Sequence, residues 1–185
     1  MREALATERP GGGPAGSRQT RSTVRRLATG VAVLTCGDPE TVEGVTVSTV
    51  ALASMEPPII SVALREDSRG LRTLLAHDRF VVNGLAAGQA FLADHFASKE
   101  RERGLDQLPA ETWADPSAHG VPRLKDAVAW LECHIVRSTA VGDHRVVFAA
   151  VSHGSQGTGT PLVNFADELR NGRAAIRPLS VERDR

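Results

Sequence analysis

The chain has no tyrosine, and aromatic residues make up only 4% of its 185 residues. Such scarcity argues against a nucleic-acid-binding surface on which bases stack. The 22 basic residues are balanced by 22 acidic residues, so the total charge does not point to nucleic acid or to an anionic membrane. No apolar run approaches the roughly 20 residues that a membrane-spanning helix needs. We therefore expect neither a nucleic acid nor a membrane as a partner.

Cysteine is also scarce, with only Cys36 and Cys133, each inside an apolar run. Such cysteines are typical of reduced thiols in the core of a cytosolic protein, with a disulfide between the two as the minor alternative. The first residues carry charges and a triple glycine but no apolar stretch of the kind found in a secretory signal. The expected location is therefore the cytoplasm.

The length fits one domain with tails. Residues 1–20 are rich in glycine and proline and are predicted to be a disordered tail. The folded domain is expected over 21–170, starting with a short helix around Ser22, and 171–185 would form a C-terminal tail. The stretch 99–126 is charged and irregular, which is typical of a surface excursion or lid.

Runs of β-branched and apolar residues predict consecutive strands, and two short helices interrupt them. The first helix has Ser68 as its cap and Leu71, Leu74 and Leu75 as its apolar positions, and the second covers about 88–97 with Phe91, Leu92 and Phe96. A hairpin is expected with Gly142-Asp143-His144 as its turn. Six or seven strands in this order indicate an antiparallel barrel decorated by helices. The strands are predicted at Val31–Cys36, Thr41–Val50, Ile59–Leu64, Phe80–Leu85, Ala127–Arg137, Arg145–His153 and Leu162–Phe165.

The clearest chemical signal is a strand end rich in hydroxyl groups beside a loop that carries arginines. Thr46, Ser48 and Thr49 lie at the end of the predicted strand Thr41–Val50, and the loop Arg65–Arg69 leads into the helix that Ser68 opens. Helix N-terminal amides favour an anion, whereas Arg69 in the first turn opposes the helix dipole and needs a partner. A bound phosphate would supply that partner. The ordinary alternative is a set of solvent-facing side chains.

No residue pattern supplies a nucleophile or a metal site. The six histidines lack the spacing of zinc ligands, no glycine fingerprint opens a helix after a strand, and neither cysteine has an evident base. His144 is either an exposed turn residue or an imidazole placed at a pocket rim. A phosphate cradle without catalytic side chains fits a cofactor that carries the chemistry itself.

From about Ser22 to Phe165 the chain resembles the flavin reductase family, the reductase partners of two-component flavin monooxygenases. Nine motifs occur in the family's order: Thr29-Gly30-Val31, Gly44–Thr49, Glu56-Pro57-Pro58, Ser68-Arg69, Arg79–Leu85, His95–Ser98, Ala129–Cys133, Gly142-Asp143-His144 and Pro161-Leu162. Two segments depart from the family pattern, which often has aromatic and hydroxyl residues at Val50–Leu52 and an arginine- and tyrosine-containing end after Leu162.

The resemblance implies a mainly β fold, a six-stranded antiparallel split barrel with short inserted helices, as a homodimer that binds FMN or FAD. It also implies that His144 orients the nicotinamide of NADH or NADPH, and it assigns no metal. The resemblance places a first group of residues beside the ring and ribityl chain of the flavin: Thr46, Val47, Ser48, Thr49, Val50 and Ala51. It places a second group around the phosphate or pyrophosphate: Arg65, Ser68, Arg69, Ser98 and Lys99. Phe96 is also expected to bind the flavin.

The predicted function is that of an NAD(P)H:flavin oxidoreductase that reduces FMN or FAD by hydride transfer and supplies a separate monooxygenase. The alternative is a non-catalytic flavin- or nucleotide-binding module on the same barrel. A relative of the pyridoxamine-phosphate oxidases would share the barrel but is favoured by none of the nine motifs. Arg65 and Lys99 suit a ribityl phosphate and a pyrophosphate equally, so FMN and FAD both remain open.

Overall fold

The structure is a computed structural model that describes residues 14–174. Its longer helices are α1 (Pro14–Val24), α2 (Arg69–His77) and α3 (Ala90–Ala97). Its strands are β1 (Thr29–Gly30), β2 (Ala32–Cys36), β3 (Glu43–Val47), β4 (Ala51–Met55), β5 (Pro58–Arg65), β6 (Arg79–Gly84), β7 (Trp113–Ala114), β8 (Arg123–Leu124), β9 (Ala129–Val141), β10 (His144–Gln156), β11 (Leu162–Phe165) and β12 (Glu168–Asn171). None of the helices in this part of the chain is long and apolar enough to cross a membrane.

The main sheet has seven strands in the order β3-β2-β6-β9-β10-β5-β4, and every neighbouring pair is antiparallel. The strands β1, β11 and β12 form a second sheet, and β7 pairs with β8. The predicted mainly β, antiparallel fold with short inserted helices is therefore confirmed, with seven strands in the main sheet where six were expected.

The residues on one face of the main sheet form the larger core. Leu34, Val62, Val82 and Val147 each bury nearly all of their surface there, together with Leu71 and Leu74 of α2. Because side chains alternate along a strand, the residues between them point to the opposite face. At β2 and β6 that opposite face is buried too, since α3 and the segment 105–127 cover it. At β2 and β6 the sheet therefore has a hydrophobic core on each of its two faces.

Buried hydrogen bonds tie the covering segment to the sheet. The side-chain amide of Asn83 donates to the carbonyl oxygen of Val33 (3.0 Å), and its oxygen accepts from the backbone N–H of Leu124 (2.8 Å). The hydroxyl of Thr35 donates to the carbonyl oxygen of Pro122 (2.6 Å). The predicted excursion 99–126 is mostly irregular, as expected, but its second half is part of the folded core.

Several strand predictions needed correction. The run expected as one strand, Thr41–Val50, ends at Val47, and a separate edge strand, β4, follows it. Four short strands were not predicted: β1, β7, β8 and β12. In the long hairpin the turn is only Gly142-Asp143, and His144 already belongs to β10. A two-residue turn suffices because Gly142 has a φ of 61°, which glycine adopts without strain.

The helix predictions also differ in detail. Helix α1 begins at Pro14, inside the segment predicted as a disordered tail, and ends at Val24 rather than starting at Ser22. Leu75 and Phe91, which were expected on apolar helix faces, are exposed instead, and so are Val24 and Leu27 at and after the end of α1. Residues 1–13 and 175–185, which hold the rest of both predicted tails, lie outside the described residues.

The two cysteines are held apart by the sheet. Cys36 and Cys133 pair with the same residue, Phe80, from opposite sides, so they are two strands apart, or about 10 Å. That separation exceeds the Cα–Cα distance of a disulfide, which is at most about 7 Å. Both thiols are free and buried, as predicted.

Burial raises the pKa of both thiols from the usual 9.0 to about 12, so we expect neither to react with Ellman's reagent at pH 8 in the folded protein. Both should react after unfolding in urea. Because the thiols ionise at lower pH in the unfolded chain, the free energy of unfolding should fall as the pH rises from 9 toward 12. Rapid labelling of either thiol in the native protein would contradict this burial.

Candidate functional site

A cavity of about 540 Å³ opens at one end of the barrel. It lies between the end of β3, the end of β5, the start of α2 and the end of α3, with the first residue of β10 at its rim. The predicted site residues in its wall are Thr46, Val47, Ser48, Thr49, Arg65, Ser68, Arg69, Phe96, Lys99 and His144. Val50, Ala51 and Ser98 do not line it. The structure therefore brings ten of the thirteen predicted residues together.

Two glycines allow both helices to pack directly against β3. A Cβ atom added at Gly44 would lie 2.2 Å from the ring of Phe96 on α3, and one added at Gly70 on α2 would lie 2.7 Å from the Cβ of Val45. Phe96 is buried and therefore has little room to move. The cavity is thus the cleft between two helices that β3 holds at close range.

Most of the hydroxyl groups predicted to bind a ligand are occupied by the protein itself. Thr46 donates to the carbonyl oxygen of Ala93 (2.7 Å), and the hydroxyl of Thr49 bonds both the N–H and the C=O of Ala63. The hydroxyl of Ser68 caps α2 by accepting from the N–H of Leu71, as predicted. Within the described chain, the Ser48 hydroxyl makes no hydrogen bond, so it is available to a ligand.

Arg69 has the partner that its position in the helix requires, but this partner is a carboxylate of the protein and not only a bound phosphate. Its Nε lies 2.7 Å from Oε2 of Glu43, a carboxylate with no exposed surface at the start of β3. Arg101 lies 2.6 Å from the same carboxylate and Arg103 lies 3.4 Å from it. We call Glu43, Arg69, Arg101 and Arg103 the Glu43 cluster.

The Glu43 cluster leaves positive charge in excess, because three guanidiniums share one carboxylate. Arg69 and Arg101 reach the cavity wall. Burial lowers the pKa of Arg101, and Glu43 opposes that shift. Sequence reasoning missed Glu43 and Arg101. The available signal was a glutamate between the apolar Val42 and Gly44, since a carboxylate placed in a buried strand needs cationic partners.

Three further basic side chains line the same end of the cavity. Arg65 bonds Asp67 through its Nε (2.9 Å), and that contact holds the pKa of Asp67 below its usual range. Arg72 donates to the backbone oxygen of Asp67 (3.0 Å). Lys99 is exposed and makes no ion pair within the described chain. Together with the Glu43 cluster and the first turn of α2, these groups favour an anion such as a phosphate.

His144 stands at the cavity rim, next to this basic end. It pairs with Arg65 across the β10–β5 ladder. Its Nδ1 lies 2.8 Å from Oδ1 of Asp143, and this bond holds the pKa of Asp143 below its usual range. The imidazole is 40% exposed. A half-exposed ring held on one side by a carboxylate is suited to orienting a flat ligand.

A smaller cavity of about 310 Å³ lies on the other side of Thr46–Ser48. Asp94, Asn164, Asp167 and Leu169 contribute to its wall. The last three belong to the segment that departs from the family pattern, and β12 places Leu169 there. Its acidic lining contrasts with the basic lining of the large cavity.

Comparison with known proteins shows the family to which this chain belongs. A profile described as the flavin reductase like domain matches residues 24–173. The chain is 37% identical over 155 residues to an NADPH-flavin oxidoreductase from Streptomyces viridifaciens, covering 83% of this chain and 80% of that protein. It is 32% identical over 149 residues to the reductase component of a 4-nitrophenol 4-monooxygenase/4-nitrocatechol 2-monooxygenase from Rhodococcus opacus, covering 80% and 77%.

Among solved structures, the chain matches BorF, the flavin reductase component of a bacterial two-component tryptophan halogenase. The TM-score is 0.78 at 30% identity, covering 84% of this chain and 97% of that one. The chain therefore belongs to the flavin reductase family. The prediction of an NAD(P)H-dependent flavin reductase is confirmed by these relatives.

Removing the charge of Glu43 should destabilise the protein, because the buried guanidinium of Arg101 would then have no carboxylate to neutralise it. For Glu43→Gln we expect the free energy of unfolding to fall by about 3 kcal/mol, the lower end for breaking a buried ion pair, since Arg69 and Arg103 remain partly exposed. Urea unfolding measures the loss, with the exposed Glu111→Gln as the matched control. Equal stability of the two variants would show that Glu43 does not organise the cluster.

Proposed function

We propose that this protein reduces FMN or FAD with NADH or NADPH in the large cavity, and that it supplies the reduced flavin to a separate flavin-dependent monooxygenase. One observation carries the proposal: a basic, phosphate-compatible end and a half-exposed imidazole line the same cavity in a member of the flavin reductase family. The named partners of the relatives, a monooxygenase and a halogenase, support the hand-over of reduced flavin.

The residues present fit a flavin. The volume of about 540 Å³ lies within the range of about 300–1,000 Å³ for cofactor sites. Val45, Val47 and Phe96 give the wall an apolar part for a ring, and Ser48 supplies a free hydroxyl beside it. The basic end offers several cations to a phosphate. The cavity therefore suits a flavin with one or two phosphates, both in shape and in charge.

The chemistry is supplied by the bound cofactors, hydride passing from the reduced nicotinamide to the flavin. The chain's own residues bind and orient. Arg65, Arg69 and Lys99, joined by Arg101, hold the phosphate end. The backbone of β3 and the hydroxyl of Ser48 would hold the ribityl chain. His144 orients the nicotinamide.

Three residues assigned by resemblance lie away from the cavity wall in the single chain: Val50, Ala51 and Ser98. The hydroxyl of Ser98 accepts from the backbone N–H of Glu100. Arg101 lines the cavity, and we assign to it the phosphate-binding role that was expected of Ser98.

The alternative of a non-catalytic binding module is less well supported. A module that only stores a flavin needs the basic end but not an imidazole at the cavity rim beside it. The curated relatives are named as reductases or reductase components.

We further propose a homodimer. On β5 and β10 the residues that alternate with the core face outward and are only partly covered by the described chain: Ile59, Ser61 and Ala63, and Val146, Phe148 and Ala150. The corresponding outer face of β2 and β6 is buried under α3 and the segment 105–127. An apolar sheet face of this kind favours a second copy as its cover. The face adjoins Ala63 and Arg65 in the cavity wall, so the dimer would border the site.

A cytoplasmic location is proposed as well. It is supported by two free, buried thiols, which are typical of a reducing compartment.

An assay of nicotinamide oxidation tests the activity. We expect NADH or NADPH to be consumed only when FMN, FAD or riboflavin is added, because the chain itself carries no group that accepts a hydride. Turnover with none of the three flavins would refute the reductase and favour the binding module.

The phosphate site is tested in the same assay by Lys99→Ala, because Lys99 has no ion pair to lose among residues 14–174. A charge-assisted contact contributes about 1.5–3 kcal/mol, so FMN affinity should fall roughly tenfold or more, while riboflavin, which lacks the phosphate, should be unaffected. The matched control is Lys125→Ala, since Lys125 is the other lysine of the chain and is also exposed. An equal loss for FMN and riboflavin would remove Lys99 from the phosphate site.

The dimer is tested by Phe148→Asp, which places a charge in the centre of the apolar face. Light scattering should report a dimer for the wild type and a monomer for the variant, because an unpaired buried charge costs several kcal/mol. The control is Phe91→Asp, since Phe91 is 58% exposed on α3, outside this face. A wild-type monomer would contradict the proposal directly.

A further inference from the structure

The turn that carries His144 is fastened to the loop that precedes α2. The carboxylate of Glu66 accepts from Nε of Arg145 at 3.2 and 3.1 Å and from its Nη2 at 2.6 Å. The backbone N–H of Glu66 donates to the carbonyl oxygen of Asp143 (3.0 Å). We call these contacts the Glu66–Arg145 clasp. They join two segments that lie 79 residues apart in the sequence.

The clasp sits immediately beside two residues of the cavity rim. Glu66 follows Arg65, Arg145 follows His144, and Arg65 and His144 face each other in the β5–β10 ladder. Glu66 is the first residue beyond the end of β5, where a ladder frays most readily. A bidentate guanidinium–carboxylate pair and a backbone hydrogen bond at this point restrict both the separation and the rotation of the two segments.

A gain in folding stability is a weak explanation for the Glu66–Arg145 ion pair. Glu66 is 46% exposed and Arg145 is 27% exposed at the side chain, and ion pairs in water contribute little to folding. Position is a stronger reason, because a displacement of about 1 Å in an oriented reactant can cost on the order of a hundredfold in rate. The clasp fixes the imidazole relative to the loop that the proposed function assigns to the flavin phosphate.

We propose that Glu66 and Arg145 are positioning residues, which hold His144 at a set distance from the phosphate-binding loop and so align the nicotinamide with the seated flavin. This inference rests on the proposed function. It adds to the reaction two residues that line neither cavity.

Single-turnover reduction of bound flavin is the central measurement, followed at increasing nicotinamide concentration. We expect Glu66→Gln to slow reduction or to raise the nicotinamide concentration needed, by roughly fivefold to tenfold, which is part of the loss expected from misplacement. Flavin affinity should stay within about twofold of the wild type, because no phosphate-binding side chain is removed. Glu168→Gln serves as the matched control, since it breaks the exposed Glu168–Arg170 pair on β12.

A double-mutant cycle separates positioning from a merely structural role. If Glu66 acts through His144, then Glu66→Gln should cause no further loss in a His144→Ala background. The same loss in both backgrounds would overturn the proposal. The charge-reversed pair Glu66→Arg with Arg145→Glu should recover most of the rate lost by Glu66→Arg alone, and failure to recover would also count against it.

A measurement on the protein without cofactors keeps this inference apart from the proposed function. Hydrogen exchange of the backbone amides at 142–146 and 64–68 should be faster in Glu66→Gln than in the wild type and unchanged in Glu168→Gln. Unchanged exchange in Glu66→Gln would refute the clasp even if the enzyme turns over. If the wild type shows no turnover but the exchange result is as expected, the proposed function is refuted. The clasp would then be a structural feature of the fold that positions no reactants.

Discussion

The site depends on one buried carboxylate. Glu43 lies at the start of β3 with no exposed surface, and it attracts Arg69 from the first turn of α2 and Arg101 from the segment after α3. Arg69 opposes the dipole of its own helix, and Glu43 explains why it is tolerated there. Because both helices also pack against β3 at Gly44 and Gly70, the carboxylate joins the two sides of the cavity. The positive charge left in excess faces the space between them.

The division of the barrel wall into a covered and an uncovered half follows from the same packing. Helix α3 and the segment 105–127 bury the outer face of β2 and β6, and hydrogen bonds from Asn83 and Thr35 hold the segment in place. The described chain covers the outer face of β5 and β10 only partly. The large cavity lies where the two halves meet, and the proposed dimer and the Glu66–Arg145 clasp both act on its uncovered side.

Local sequence predicted those features that local physics determines. Ser68 caps its helix because a serine hydroxyl satisfies a free backbone N–H wherever a helix begins. The β-branched runs formed strands, and the order of nine short motifs was enough to identify the family and ten of the residues around the cavity. The edge strand β4 was missed because the hydroxyl-rich run before it reads as one continuous strand, and β12 was missed because its short, charged sequence lacks alternation.

Capping, strand propensity and motif order are local properties, so the class of fold, the family and ten residues of the cavity wall could be predicted along the chain. The contacts that those residues make depend on how distant segments fold together. Thr46, Thr49 and Arg69 read as ligand-binding groups along the chain, yet each has a protein partner 14 to 47 residues away. Hydrogen bonds and ion pairs between distant segments exist only after the chain has folded. For the same reason Glu43 and the Glu66–Arg145 clasp became visible only in three dimensions.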